Sequence, residues 1–409
     1  MRILQINTVC KSGSTGKIAY DIHKSLLKEG HESAICYGRG PCIDEPNIYK
    51  FGNELGWKIH ALITRLFGIT GLASNWSTNR LLKYIKQYQP DVVHLHNIHG
   101  YYVNVYRLIN YLKKNNIKTV ITMHDDWLFT GNCGYAYECE KWKCGCGNCK
   151  AINEYPKSIL VDLTRLQYKL KKRYFINFDN LTIVSPSEWL ASRARESFLC
   201  DKKITVIHNG IDIENIFYHR GFDNIKRKHC LKKEKIVLAV TPNFSDKRKG
   251  GEYVIRLAEE LQEEKEFNIK IVIVGANEEI ESLPTNVLIV PRTENQEELA
   301  QYYSMADVFL LTSRFETFSM VCAESLACGT RVVGFKAGAP EEIFQEPYGT
   351  FVEFGNILQL KKEIIKKLED NYTMSSEEIS YNQKRYNKKN MYQNYLEVYT
   401  QTRGETDEY

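Results

Sequence analysis

Residues 307–335 read DVFLLTSRFETFSMVCAESLACGTRVVGF, and the succession of textures in this stretch decides the fold. A short apolar run, a polar turn, a helix-like apolar stretch, a glycine and a second apolar run spell strand, helix, strand. Runs that are apolar on consecutive positions, rather than on alternate ones, suit parallel strands covered on both faces. The same rhythm runs outward from here through KIVLAVTP (235–242), IKIVIVG (269–275) and NVLIVP (286–291). It is also present in the first half of the chain, in RILQIN (2–7), GKIAYDIHKSLLKEG (16–30), ESAICYG (32–38), DVVHLHN (91–97) and KTVITMHD (118–125). Two α/β units are expected, because 409 residues exceed what one hydrophobic core usually organises. With ITVIHNG (204–210) read as the restart of the rhythm, the boundary falls at 202/203, giving domains 1–202 and 203–383. A helical segment over 384–409 follows, with Tyr392, Tyr395 and Tyr399 on one face.

Composition narrows the class. A hydrophobic share of 43% with 26% charged residues fits a globular enzyme, and a net charge of +5 over this length supports no nucleic-acid role. The first strand starts almost at once, without the apolar core of a signal peptide, and no run approaches the length of a membrane span. A cytoplasmic protein is expected, with peripheral contact at the inner face of the membrane as an open addition. Two amphipathic segments bear on that addition: Trp57 to Phe67, and the basic stretch from Leu160 to Phe175. Core-facing helices are the other reading of both.

In open α/β sheets, ligands bind beyond the carboxyl ends of the strands. Glu316 and Glu324 stand at such an end, with seven residues between them across a strand-to-helix turn. Backbone N–H groups at Thr317, Phe318, Ser319 and Met320 would offer a helix N-terminus to a diphosphate, and Glu324 could accept from ribose hydroxyls. This pair, together with Phe318, Ser319, the Ala327-Cys328-Gly329 turn and the Ala337-Gly-Ala-Pro-Glu-Glu loop, resembles the retaining glycosyltransferases of family GT4. The resemblance implies the α/β GT-B fold: two Rossmann-like parallel-sheet domains facing a deep cleft, with the C-terminal helix packing back on the N-terminal domain. It implies a transferase that moves a sugar from a UDP- or GDP-sugar to a saccharide or polyprenyl-linked saccharide acceptor, with retention and no cofactor required for catalysis.

The family's Lys-Gly is matched by Lys249-Gly250 in LAVTPNFSDKRKGGEY (238–253), where a lysine would stabilise charge on the departing nucleotide. The family's arginine is replaced by Asn243, so either Lys247 or Arg248 supplies the second cation or the asparagine suffices. After the first strand, Gly13 and Gly16 invite a P-loop reading, which fails because Lys11 stands where a Walker glycine belongs and Ile18 replaces the metal-binding hydroxyl. The resemblance gives Gly16 the donor side of the site. His124, at a strand end, is placed near the transferred sugar. Together His124, Glu316 and Lys249 are the expected catalytic set, and Asn97, His99 and Asp125 the expected acceptor contacts.

Of twelve cysteines, five fall between Cys133 and Cys149, inside an insertion over 131–150. Cys133, Cys139, Cys146 and Cys149 are the candidate ligands of a structural zinc, with free thiols or labile disulfides as the alternatives. Together with HLHNIHGYY, the insertion resembles those of bacterial surface-polysaccharide transferases, which implies a capsule, O-antigen or exopolysaccharide pathway. Two other functions fit the same residues. A nucleotide-sugar epimerase would turn over donor without acceptor, and a zinc-stabilised nucleotide-binding protein would bind without turnover.

Overall fold

The computed structural model describes residues 1–277, 280, 282–370 and 372–401. It divides into two compact units, one formed by Met1–His208 with the segment from Tyr392 on, the other by Asn209–Met391. The first holds β1 (Arg2–Asn7), β2 (Glu32–Tyr37), β3 (Ile48–Lys50), β4 (Val92–Leu95), β5 (Lys118–Thr122), β6 (Leu181–Ser185) and β7 (Lys203–Val206). They form one sheet in the order β3-β2-β1-β4-β5-β6-β7. The second holds β8 (Lys235–Val240), β9 (Ile269–Val274), β10 (Val287–Val290), β11 (Val308–Leu311), β12 (Val332–Phe335) and β13 (Gly349–Val352). Their order is β10-β9-β8-β11-β12-β13. Every pairing in both sheets is parallel. β4 and β11 are buried at all four positions, β11 as an unbroken apolar run and β4 with buried His94 among its apolar residues.

Each sheet reverses its winding once, between β1 and β4 in the first unit and between β8 and β11 in the second. The crevice at such a reversal is where the chain leaves the strand ends in opposite directions. The helix after β1 carries Gly16 in its first turn, the loops after β4 and β5 carry Asn97, His99 and His124, and those after β8 and β11 carry Lys249 and Glu316. Topology thus gathers the expected site residues of each unit at one end of its sheet.

Two boundaries differ from the sequence reading. The run after Lys203 does not open the second unit: β7 pairs with β6, Ile183 opposite Ile204, and closes the first sheet. Its hydrogen-bonding edge was already there, so a strand that looks like a restart in sequence is an addition in space. The terminal segment is also two helices, Ser376–Arg385 and Lys388–Thr400, with the change of unit inside the latter. Residues 402–409 lie outside the described residues.

The Lys388–Thr400 helix buries Tyr395, Val398 and Tyr399 against the first unit. Tyr399 Oη lies 2.6 Å from His94 Nδ1, Tyr395 Oη 2.9 Å from Thr122 Oγ1, and Lys118 Nζ donates to the Tyr399 carbonyl. Tyrosines suit this position because each brings a large ring and a hydroxyl that finds a partner.

Candidate active site

In the second unit the loop after β8 is tied to the loop after β11. Lys249 Nζ lies 2.6 Å from Glu316 Oε1, Thr312 Oγ1 donates to the Lys249 carbonyl at 3.0 Å, and Arg314 N donates to the Arg248 carbonyl at 2.8 Å. Gly250 makes this approach possible: its φ is +68°, and a Cβ there would stand 2.2 Å from the Thr312 oxygen. Burial would raise the Glu316 carboxyl, but the charge and hydrogen bond of Lys249, together with Arg248 and Ser313, hold the group below its ordinary range. The site thus presents a cation whose charge is balanced by a carboxylate.

Glu324 sits in the Met320–Ala327 helix, 8% exposed, and Oε2 accepts from Tyr303 Oη at 2.9 Å. Tyr303 carries no motif and was not legible as a site residue. The N-cap of this helix, Ser319, has φ +74° and no side-chain cap, and its hydroxyl reaches Cys322 Sγ instead. Thr317 and Met320 are half-buried beside it. Phe318 contributes differently from expectation: its ring is 2% exposed and packs edge-on against Phe344 and Tyr386. Only its backbone is left for a ligand. The loop after β12 is held by Glu341, whose carboxylate accepts from Ala337 N and Gly338 N, while Ala337 and Ala339 bond the backbone of Glu316. Arg248 pairs with Asp246 at 3.0 Å, and Asn243 is exposed.

In the first unit His124 follows β5 and His96 follows β4. Gln5 Nε2 donates to the Ala19 carbonyl at 2.9 Å, which orients the amide so that Oε1 faces His96 Nε2, 3.1 Å away. His96 Nε2 therefore carries the proton. Burial keeps this imidazole neutral, its pKa well below the ordinary value, so Nδ1 is an acceptor, and it faces His124 Nε2 at 3.3 Å. His124 is also neutral, lowered by burial to about 4 despite Asp125 beside it. Its proton is thus placed on Nε2 and its lone pair on Nδ1, a tautomer set by three buried groups behind it.

His99 Nε2 lies 3.0 Å from Asp125 Oδ2, at ion-pair distance but without its N–H aimed at the oxygen. Burial would raise the Asp125 carboxyl; His99 and the Trp127 amide bring it below its ordinary range. A cavity of about 20 Å³ is lined by Asn97, His99, His124, Asp125 and Trp127. Among the described residues, buried Asn97 Oδ1, His99 Nε2 and Trp127 Nε1 have no hydrogen-bond partner. Buried polar atoms left so are costly unless water or a ligand hydroxyl completes them, and the volume suits about one water molecule. Gly16 is buried in the Gly13–Lys28 helix, and a Cβ would press on Val9 at 3.1 Å. The close approach it permits is that of the chain's own loop. Asp126, adjacent in sequence to Asp125, is structural, bound to Arg193 and to Ala136 N.

Cys133, Cys139, Cys146 and Cys149 line one cavity of about 440 Å³ with Trp142. Burial holds Cys133 up near about 12 and Cys146 near about 11, and Cys146 Sγ accepts from Gly131 N at 3.0 Å. Among the described residues no group of three or more His, Cys, Asp or Glu is arranged to hold a metal ion. The four thiols expected as zinc ligands are thus brought to one cavity but not to one point.

Residues 15–215 match Glycosyltransferase Family 4, and residues 221–388 match Glycosyl transferases group 1. The chain is a GT4-family glycosyltransferase. This transferase is 25% identical over 387 residues to the putative colanic acid biosynthesis glycosyl transferase WcaC of Escherichia coli K12, covering 88% of this chain and 89% of that one. It is 30% identical over 181 residues to the N-acetylgalactosamine-N,N'-diacetylbacillosaminyl-diphospho-undecaprenol 4-alpha-N-acetylgalactosaminyltransferase of Campylobacter jejuni, covering 41% and 45% of the two chains. Sucrose-phosphate synthase of Thermosynechococcus elongatus superposes with TM-score 0.70 at 16% identity, covering 97% of this chain and 98% of that one. HepE of Anabaena in complex with UDP-glucose gives TM-score 0.66 at 16% identity, covering 97% and 99%. Structural likeness at these identities shows the fold, GT-B, with its two Rossmann-like domains.

Proposed function

We propose that this glycosyltransferase moves a hexosyl group, with retention, from a UDP- or GDP-sugar to a saccharide carried on a polyprenyl diphosphate, in the synthesis of a bacterial surface polysaccharide. The observation that carries the donor half is the Lys249–Glu316 pair at 2.6 Å, on the loops at the winding reversal of the second sheet. Lys249 is the donor-phosphate cation, Glu316 orients it and the sugar hydroxyls, and Glu324, steadied by Tyr303, takes the ribose. Ser319 and the helix N-terminus beside it receive the diphosphate.

In the transfer the bond from the anomeric carbon to the phosphate oxygen breaks, and its electron pair leaves with the nucleoside diphosphate. The acceptor oxygen bonds the same face of that carbon and gives its proton to the departing phosphate oxygen. Lys249 lowers the barrier by meeting the charge that develops on the leaving group, a contribution typically worth factors of about 10²–10³ in rate. On the acceptor side, Asn97, His99 and Asp125 offer the hydroxyl-binding groups of the small cavity, and His124 stands beside the transferred sugar. The relatives support the substrates: HepE was solved with UDP-glucose, and the Campylobacter relative is named for an undecaprenol-linked substrate. A thermal-shift series with UDP, GDP and their sugar conjugates tests the donor half. One base should raise the melting temperature of the wild type and leave Glu324→Ala unmoved, and donor should then be consumed only when acceptor is added. Donor turnover without acceptor would establish the epimerase instead.

A further inference from the structure

The Glu54–Phe67 helix is built inside out. Its buried face carries His60, Ala61 and Thr64, while Leu55, Ile59 and Leu62 are 69%, 47% and 56% exposed. With half-buried Leu66 these lie at i, i+4, i+7 and i+11, a stripe within about 60° of arc on a helix of 3.6 residues per turn. The stripe points away from the unit that holds the helix. Its C-terminal end continues into a second exposed apolar element: Ile159 N donates to the Arg65 carbonyl and Leu160 N to the Leu66 carbonyl. Ile159 and Leu160 are themselves 58% and 65% exposed. From there the chain enters the Thr164–Ile176 helix, which Gln167 pins to the Gly68 and Thr70 carbonyls. This helix has no acidic residue, and Arg165, Lys169 and Lys172 form an exposed basic row at i, i+4 and i+7.

An exposed apolar patch of this extent marks an interaction site rather than ordinary surface. We infer that the apolar stripe of Glu54–Phe67 and the Ile159–Leu160 turn insert into the interface of an anionic lipid bilayer, with the basic row of Thr164–Ile176 against its headgroups. The charge decides the occupant: leucines reach the acyl boundary, and cations beside them gain from anionic lipid. No helix among the described residues is long and apolar enough to cross a membrane, so contact of this kind lies in the surface plane. The inference deepens the proposed use of a polyprenyl-linked acceptor and rests on that reading for its purpose, though not for its measurement.

The test is co-sedimentation of the full chain with vesicles of phosphatidylglycerol and phosphatidylethanolamine, and with vesicles of phosphatidylcholine alone. The wild type should pellet with the anionic vesicles, less so at high salt, and only weakly with phosphatidylcholine. Leu62→Asp with Leu160→Asp, both at exposed sites, should lower the partition coefficient by about tenfold or more, as loss of at least about 1.4 kcal/mol requires. Arg165→Glu with Lys169→Glu should do the same without touching the apolar stripe. Wild type that stays in the supernatant, or variants that pellet equally, would overturn the inference. So would light scattering that shows a wild-type dimer which the leucine variant dissociates, because the stripe would then be covered by a second copy. The UDP thermal shift, measured on the same preparations, separates the two readings. If vesicle binding behaves as stated and no nucleotide shifts the protein, the donor assignment fails and the membrane surface stands.

Discussion

Lys249 and Glu316 hold each other's charge, so neither can be removed without changing the other. In Lys249→Ala the buried Glu316 carboxyl loses the cation that keeps it below its ordinary 4.5, and burial, the larger opposing effect, raises it. The wild-type pair stabilises the fold above that ordinary value and loses its contribution as pH falls through the lowered folded value. The variant should therefore lose the acid-limb stability that the pair supplies, seen as a flatter melting temperature below about pH 5 in a thermal series, and kcat should drop about 10²- to 10³-fold. Unchanged turnover would remove Lys249 from the reaction. Behind His124 the prediction concerns a proton. The Ala19–Gln5–His96 chain requires Nε2–H on both His96 and His124, which a long-range ¹H–¹⁵N spectrum reads directly. In His96→Leu the His124 N–H loses its acceptor, and a buried donor left so costs about 1–3 kcal/mol. The His124 signals should move toward the other tautomer, and the donor KM should rise more than kcat falls. His124 found with Nδ1–H in the wild type would refute the assignment.

The loops, as elements, work only at close approach, and Gly250 shows how little room they have. Gly250→Ala would set a methyl 2.2 Å from the Thr312 oxygen at a φ of +68°. The two ties between the loops after β8 and β11 should part, with a destabilisation of about 1–3 kcal/mol and loss of the nucleotide-dependent shift. A variant that melts lower yet keeps the full shift would show that the ties serve folding alone. Elements were also where the sequence was most and least readable. β4, β5, β8, β9 and β11 were visible because strands buried on both faces are apolar at most successive positions, a constraint that acts on each residue by itself. β7 was misplaced for the opposite reason: Lys203–Val206 has half-exposed residues, and only its pairing with β6 says which sheet owns it. The same limit applies within the site. Glu316, Glu324 and Lys249 were legible through their spacing along one chain, whereas Tyr303 reaches Glu324 from another helix and Glu341 reaches Gly338 through a loop conformation. The Phe318 ring also serves packing, against Phe344 and Tyr386, a role that depends on neighbours distant in sequence.

At the scale of the whole molecule, the chain crosses from the second unit to the first within its last described helix, and that crossing has a measurable consequence. Tyr395, Val398 and Tyr399 are buried to within 3% in the first unit, with the two hydroxyls on Thr122 and His94. Ending the chain after Met391 removes these three side chains, each worth about 1.5–3 kcal/mol of burial at most. It also leaves His94 Nδ1, inside the core behind His96, without its partner. The total approaches the whole stability of an ordinary domain, about 5–15 kcal/mol. The second unit keeps its own sheet, and with it Lys249, Glu316 and Glu324. Calorimetry of the truncated chain should therefore show the transition of the first unit moved down by more than about 10 °C, as a loss of several kcal/mol implies for a unit of this size. The other transition should stay in place and still rise when the nucleotide that stabilises the full chain is added. If both transitions fell together, or if the nucleotide shift vanished with the helix, nucleotide binding would depend on the first unit, and the assignment of the diphosphate and ribose contacts to residues 209–391 would be lost.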